Sequence, residues 1–199
     1  TRNYTPSHFS FNVDGGRCQV YHNVFHRTRD AMDFDGGSPV VRDNLVLAPK
    51  DDGIDFGGGA SAVLRGNVII GAGDKAVSVG EGARVKIESN LLERNNFGVA
   101  VKERSEAELS GPILRRNAVA LGVYRTPRAR PQDAAGKLGG WASFSENAVS
   151  LKLEARSAGP EAEGLAVRPY DPAARRKLID DLLRDCRYCR ALEEALRAQ

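Results

Sequence analysis

Long apolar runs are missing from this sequence. No stretch approaches the roughly 18 residues that a membrane-spanning helix needs, so no such span is expected. Cysteine is scarce. Cys18, Cys186 and Cys189 are too few and too unevenly placed for a disulfide framework. Cys186-Arg-Tyr-Cys189 also lacks the preceding strand of a redox motif and the second pair that a zinc site needs, so both cysteines are expected as small apolar residues of a helix. One Met and one Trp in 199 residues suit many short strands better than a large helical core. Charge of one sign is also lacking. The 29 basic and 26 acidic residues are interspersed and leave a formal net charge of +3, without the basic footprint of a nucleic-acid binder. Residues 1–10 contain no basic start followed by an apolar stretch, so no signal peptide is expected within them, and the chain reads as a mature or excised piece.

Glycine, by contrast, is plentiful at 21 residues, and it accompanies an internal repeat. The tripeptides His22-Asn23-Val24, Asp43-Asn44-Leu45, Gly66-Asn67-Val68 and Ser89-Asn90-Leu91 space their asparagines by 21, 23 and 23 residues. Pro112 stands where a fifth Asn is due. Glu146-Asn147-Ala148 is expected as the sixth, after one period plus an insertion of about 13 residues. Three residues before each Asn stands an apolar residue: Val20, Val41, Leu64, Ile87, then Leu109 and Phe144. Two residues after it stands another: Phe25, Val46, Ile69, Leu92, then Leu114 and Val149. A second strand alternates at period two in Asn12-Val13, Met32-Asp33-Phe34, Ile54-Asp55-Phe56, Val77-Ser78-Val79 and Val99-Ala100-Val101.

A coil of short strands cannot bury its own apolar residues, but stacked about 4.8 Å from its neighbour it pairs every backbone group and builds a continuous core. The sequence therefore predicts an all-β solenoid, a parallel β-helix of about six coils over residues 1–153, with Ile54, Ile69, Val77 and Val99 inside. Asn at a fixed turn tolerates the left-handed conformation, and its amide can bond the Asn one coil away, so the Asn column is expected to be structural. Residues 125–140 are expected as a basic insertion loop and residues 154–170 as a linker. Asp171-Pro172 reads as an N-cap followed by proline at the first helical position. A C-terminal α-helix is expected within 171–199, with the stripe Leu178, Leu182, Cys186, Cys189, Leu192 and Leu196, covering an open end of the solenoid or docking elsewhere.

Candidate chemistry lies on the acidic outward positions of the second strand. Stacking predicts one column of Asn12, Asp33, Asp55 and Ser78, and a second of Asp14 and Asp35. Neighbouring carboxylates repel, and a cation relieves the repulsion; Asp33, Asp35 and Asp55 are the candidate metal ligands, with calcium, which accepts loose oxygen geometry, as the expected ion. Asp33, Asp52 and Asp55 are candidates for acid–base work in glycoside hydrolysis, and Lys75 for proton abstraction beside a uronate, with Lys102 on the same side. His8, His22 and His26 lack a metal-ligand spacing and are expected as turn or surface residues.

The rungs Asp51-Asp52-Gly53-Ile54-Asp55, Gly73-Asp74-Lys75-Ala76-Val77-Ser78-Val79-Gly80-Glu81 and Gly98-Val99-Ala100-Val101-Lys102 resemble the pectate-lyase-like right-handed parallel β-helix superfamily. Within it they are most similar to the β-helix modules beside spore-coat kinase-like (CotH-type) domains of bacterial surface proteins. The resemblance implies a right-handed solenoid, an extracytoplasmic or cell-surface setting, and a polysaccharide or a surface protein as partner. Asp51-Asp52 resembles the Asp pair of polygalacturonase-like enzymes, but their Gly-His and Arg-Ile-Lys and the Asp-Pro-His of alginate epimerases are absent. Three functions are therefore expected in turn: a module presenting a polysaccharide- or partner-binding face, a lyase or hydrolase using the acidic strip Asp33, Asp35, Asp51, Asp52 and Asp55, and an architectural spacer.

Overall fold

A computed structural model describes residues 9–126, 136–153 and 165–185. The repeat folds as the apolar columns require. A seven-stranded parallel sheet stacks Phe9–Asp14, Asp30–Asp35, Ile54–Gly57, Lys75–Val79, Phe97–Lys102, Val119–Tyr124 and Val149–Leu153 in chain order. The remaining strands of each coil build an eleven-stranded sheet that bends around the Asn corner. One arm runs from Gln19–Tyr21 to Arg84–Glu88, the other from Leu91–Glu93 back to Val24–His26, and the long strand Glu106–Arg115 joins them. Val20, Val41, Leu64, Ile87 and Leu109 are direct neighbours on successive coils, as are Phe25, Val46, Ile69, Leu92 and Leu114. With Met32, Ile54, Val77, Val99 and Leu121 from the seven-stranded sheet they fill the interior. Phe34 and Phe56 stack face to face inside it, with centroids 5.4 Å apart.

The Asn column is a hydrogen-bonded ladder, but its conformation differs from the expectation. The left-handed residue is the one before each Asn: His22, Asp43, Gly66 and Ser89 all have positive φ. That bend turns the following side chain inward, where each amide spans three coils. Asn67 Nδ2 donates to Val41 O at 2.9 Å, Arg65 O at 3.0 Å and Asn90 Oδ1 at 3.0 Å. Its Oδ1 accepts from the backbone and side-chain amides of Asn44, each at 3.0 Å. Asn44, Asn67 and Asn90 are fully buried.

The sixth coil is phased differently from the expectation. Asn147 belongs to a second ladder, Asn95–Asn117–Asn147, at the next corner, and the bonded positions lie 22 and 30 residues apart. Phe144 accordingly pairs with Leu114 rather than continuing the Leu109 column, and Val149 pairs with Val119 in the seven-stranded sheet. The reason is Gly111-Pro112. Pro112 has no side-chain amide, so the first ladder ends at Asn90; Gly111 keeps the left-handed bend of that corner, and the pairing to the next coil shifts register between Ser110 and Ile113.

The predicted linker also contributes structure: Ala166–Pro169 pairs with Lys137–Ser145, which itself begins inside the expected insertion loop. Asp171 caps the helix Pro172–Asp185 as expected, its Oδ1 accepting the Ala173 N–H at 2.8 Å. The helix docks on the side of the solenoid. Ile179 and Leu182 pack on the outward column Leu45, Val68, Leu91 and Ile113. Arg175 reaches Glu93 Oε2 at 3.0 Å; Glu93 is fully buried and also holds Arg115 at 2.8 Å. Leu178 packs at the edge of the same cluster. Cys186, Cys189, Leu192, Leu196 and His8 lie outside the described residues.

Candidate functional site

The outward face of the seven-stranded sheet carries three columns of side chains. At the corner stand Asp30, Asp52, Lys75 and Phe97. The middle column is Asn12, Asp33, Asp55, Ser78, Ala100, Gly122 and Lys152. The third begins with Asp14, Asp35 and Gly57 and ends with Lys102 beside Tyr124. Both carboxylate columns read from the sequence are therefore present, with Asp33 and Asp55 on adjacent coils.

The candidates divide into two groups. Asp52 and Lys75 are buried at the corner and tied together: Lys75 Nζ lies 3.1 and 3.3 Å from the two Asp52 oxygens and also bonds Asp74. The corner repeats a coil-to-coil link, since Asp30 Oδ1 accepts the Asp52 N–H and Asp52 Oδ1 accepts the Lys75 N–H, each at 2.9 Å. Burial alone would lower the Lys75 value, but Asp52 and the bonds to Asp74 and Asp52 outweigh it and hold the ammonium protonated above the usual lysine range. Burial pushes Asp52 up to about 6, against the opposing pull of Lys75. This lysine is a fixed cation and a poor proton abstractor.

The second group is the open acidic row. Burial raises Asp33 to about 6, and the charges next in weight, Asp55, Asp35, Asp30 and Glu81, all push it the same way. Asp35 is raised by burial and then by Glu81, Asp14 and Asp55. Glu81, not singled out in the sequence, leans in from a left-handed turn. A methyl group on Gly57 would sit 3.0 Å from an Asp35 oxygen and 3.1 Å from a Glu81 oxygen, so the two carboxylates face each other across bare backbone. Asn12 Nδ2 donates to Asp33 Oδ2 at 3.3 Å.

The cation expected from the sequence can be tested against these residues. Calcium takes six to eight oxygens. Among the described residues, the only three carboxylates whose oxygens approach within 4.8 Å of one another are Asp51, Asp52 and Asp74, and the Lys75 ammonium already bonds two of them. Asp33, Asp35 and Asp55 are spread one per position along the row. Neither set is a closed calcium cage.

Toward the other end of the face, two aromatic rings that the sequence reading passed over come together. Phe97 and Tyr124 have centroids 5.8 Å apart, and a Cβ on Gly122 would fall 2.9 Å from Phe97 Cε1, so that ring lies across the glycine. Lys152 Nζ sits 5.7 Å from the Phe97 centroid. Burial raises the Tyr124 hydroxyl, with Lys75 opposing. The signal for these rings was positional: each falls on a coil whose outward neighbour is Ala or Gly.

The row makes a testable demand on stability. A carboxyl whose value rises on folding binds more protons in the folded state, so its contribution falls as pH climbs from about 4 to about 6 and the penalty is complete above that. Asp33→Asn, which keeps the shape without the charge, should therefore raise the melting temperature at neutral pH by about 2–4 °C, and the gain should shrink toward zero near pH 4. Thermal melts of both proteins across that range check it; a gain independent of pH, or a loss, would mean that the row is not strained by charge. Adding calcium to the wild type in the same melts tests whether Asp33, Asp35 and Asp55 gather around that ion.

Residues 3–127 match the family described as a right-handed beta helix region, well over half of the chain. No curated protein and no solved structure shows significant similarity to it.

Proposed function

The chain belongs to the right-handed β-helix family, and from that premise we propose that it is a polysaccharide-binding module whose ligand lies along the outward face of the seven-stranded sheet. The observation that carries this reading is the pairing, on one rigid surface, of a carboxylate row with an aromatic platform. Asp33, Asp35, Asp55 and Glu81 offer hydrogen-bond acceptors to sugar hydroxyls, and Phe97 and Tyr124 offer ring faces to the apolar side of a sugar. Coils about 4.8 Å apart place these groups at regular steps along a linear polymer. No helix among the described residues is long and apolar enough to cross a membrane.

Affinity electrophoresis against soluble neutral, acidic and amino polysaccharides tests it. The wild type should be retarded by at least one of them, and Phe97→Ala or Tyr124→Ala should weaken that interaction about tenfold, the equivalent of ~1.4 kcal/mol. Retardation by none of the polymers, or equal retardation of the folded variants, would overturn the proposal.

One observation favours a catalytic extension. Adjacent coils are about 4.8 Å apart, close to the ~5–5.5 Å separation of the carboxyl pair in retaining glycosidases. Asp33, held near 6, would serve as the acid and Asp55 as the nucleophile. Release of reducing ends by the wild type, lost in Asp55→Asn, would establish hydrolysis; binding without release leaves a binding module.

A further inference from the structure

We propose that the polymer bound is cationic, a β-linked amino-sugar chain whose ammonium groups meet the carboxylate row Asp33, Asp35, Asp55 and Glu81. This rests on the polysaccharide reading above and names its substrate class.

The first argument is charge balance. Among the described residues, the charges that raise Asp33 and Asp35 are all acidic, whereas the neighbouring Asp52–Asp74 cluster holds its own counter-ion in Lys75. The open row is therefore uncompensated, and a polyuronate would add repulsion to it. A cationic ligand relieves it.

The second argument is spacing. The row does not bring three oxygens together as a metal centre does; it offers carboxylates at successive coils, about 4.8 Å apart. An extended β-1,4-linked sugar chain advances by close to one coil per residue and turns successive residues over, so its amino groups return to one side at about every second coil, in step with the stack. An extended peptide advances about 3.3 Å per residue and turns alternate side chains away, so its cations recur at about 6.6 Å, out of step with the coils.

The third observation is independent of the acids. Ser78 stands between the inward-facing Val77 and Val79, which directs its side chain out of the same face, in register with Asp55. It is fully buried, and its Oγ has no hydrogen-bond partner among the described residues. A buried hydroxyl without a partner costs about 1–3 kcal/mol, and here it borders the row where a ligand amine or hydroxyl would lie.

The test is calorimetric titration at about pH 6.5, above the value of about 6 to which burial raises Asp33. The probes are the glucosamine hexamer, the N-acetylglucosamine hexamer, hexagalacturonate and hexalysine, each with and without calcium. The glucosamine hexamer should bind at least about tenfold more tightly than its acetylated form. Added salt should weaken it, and Asp33→Asn with Asp55→Asn should reduce it to the acetylated level while the melting temperature shows the variant folded. Equal binding of the acetylated hexamer, or preference for hexagalacturonate, overturns the cationic assignment and leaves the polysaccharide reading standing. Preference for hexalysine overturns it in favour of a basic peptide, and binding only with calcium overturns it in favour of a metal-bridged acid. Binding of no glycan overturns both.

Discussion

Asn67→Asp should destabilise the protein by more than about 4 kcal/mol, although it replaces one nitrogen by one oxygen. The amide of Asn67 donates to Val41 O, Arg65 O and Asn90 Oδ1 from a fully buried position. A carboxylate there presents an acceptor to three acceptors and carries a desolvated charge as well. Each orphaned buried group costs about 1–3 kcal/mol, and the charge adds to it. Asn67→Ala should cost less than the aspartate, because it removes the donor without creating a repulsive contact, yet it still strips the Asn44 amides of their acceptor. Asn96→Asp is the control: Asn96 is exposed beside the buried ladder residue Asn95, and its change should stay within about half a kcal/mol. Urea unfolding of the three variants decides the matter. A similar midpoint for Asn67→Asp and Asn96→Asp would mean that the ladder is ornamental to stability.

Removing the carboxylate of Glu93 should cost about 3–5 kcal/mol, the usual penalty for breaking a buried ion pair from one side. Glu93 is the fully buried link between the solenoid and the helix, gripping Arg115 at 2.8 Å and Arg175 at 3.0 Å. In Glu93→Ala, Arg115 keeps its second partner, Glu146, at 2.8 Å, but Arg175 faces an apolar gap. The helix should loosen first. Limited proteolysis within Pro172–Asp185 at a denaturant concentration that leaves the coils intact is the measurement, and a helix as resistant as in the wild type would show that Ile179 and Leu182 hold it alone.

The sequence revealed the solenoid because burial acts on every coil alike. Val20, Val41, Leu64, Ile87 and Leu109 recur in step because each must meet the one before it. The same logic fails at the sixth coil, where the period points Asn147 to the first ladder and the fold places it on the second. Two corners use the same chemistry, and only the pairing of Asn95 with Asn117 distinguishes them, a 22-residue interval that stood unread in the sequence. The acidic columns were legible because strands alternate. What was not legible is which acids are free. Asp52 and Asp55 lie three residues apart in similar company, and yet one turns into the corner against Lys75 while the other stands on the face. That division depends on where the chain bends. Phe97 and Tyr124 went unnoticed for a related reason: their stretches lack the acids that drew attention to the earlier coils.

The two-residue corner carrying His22-Asn23, Asp43-Asn44, Gly66-Asn67 and Ser89-Asn90 never changes length. A third residue there would carry the amide out of reach of the next. One flank of the seven-stranded sheet has no such constraint: Tyr124 to Lys137 is far longer than its counterparts on other coils, whereas on the other flank the register-matched steps His26 to Met32, Leu47 to Ile54, Ile70 to Val77 and Glu93 to Val99 stay within one residue of each other. Evolution can therefore lengthen that rim of the outward face without disturbing the coil register. New specificities would arise by growth at that rim, while the asparagine corner stays as the fixed spine from which such changes are measured.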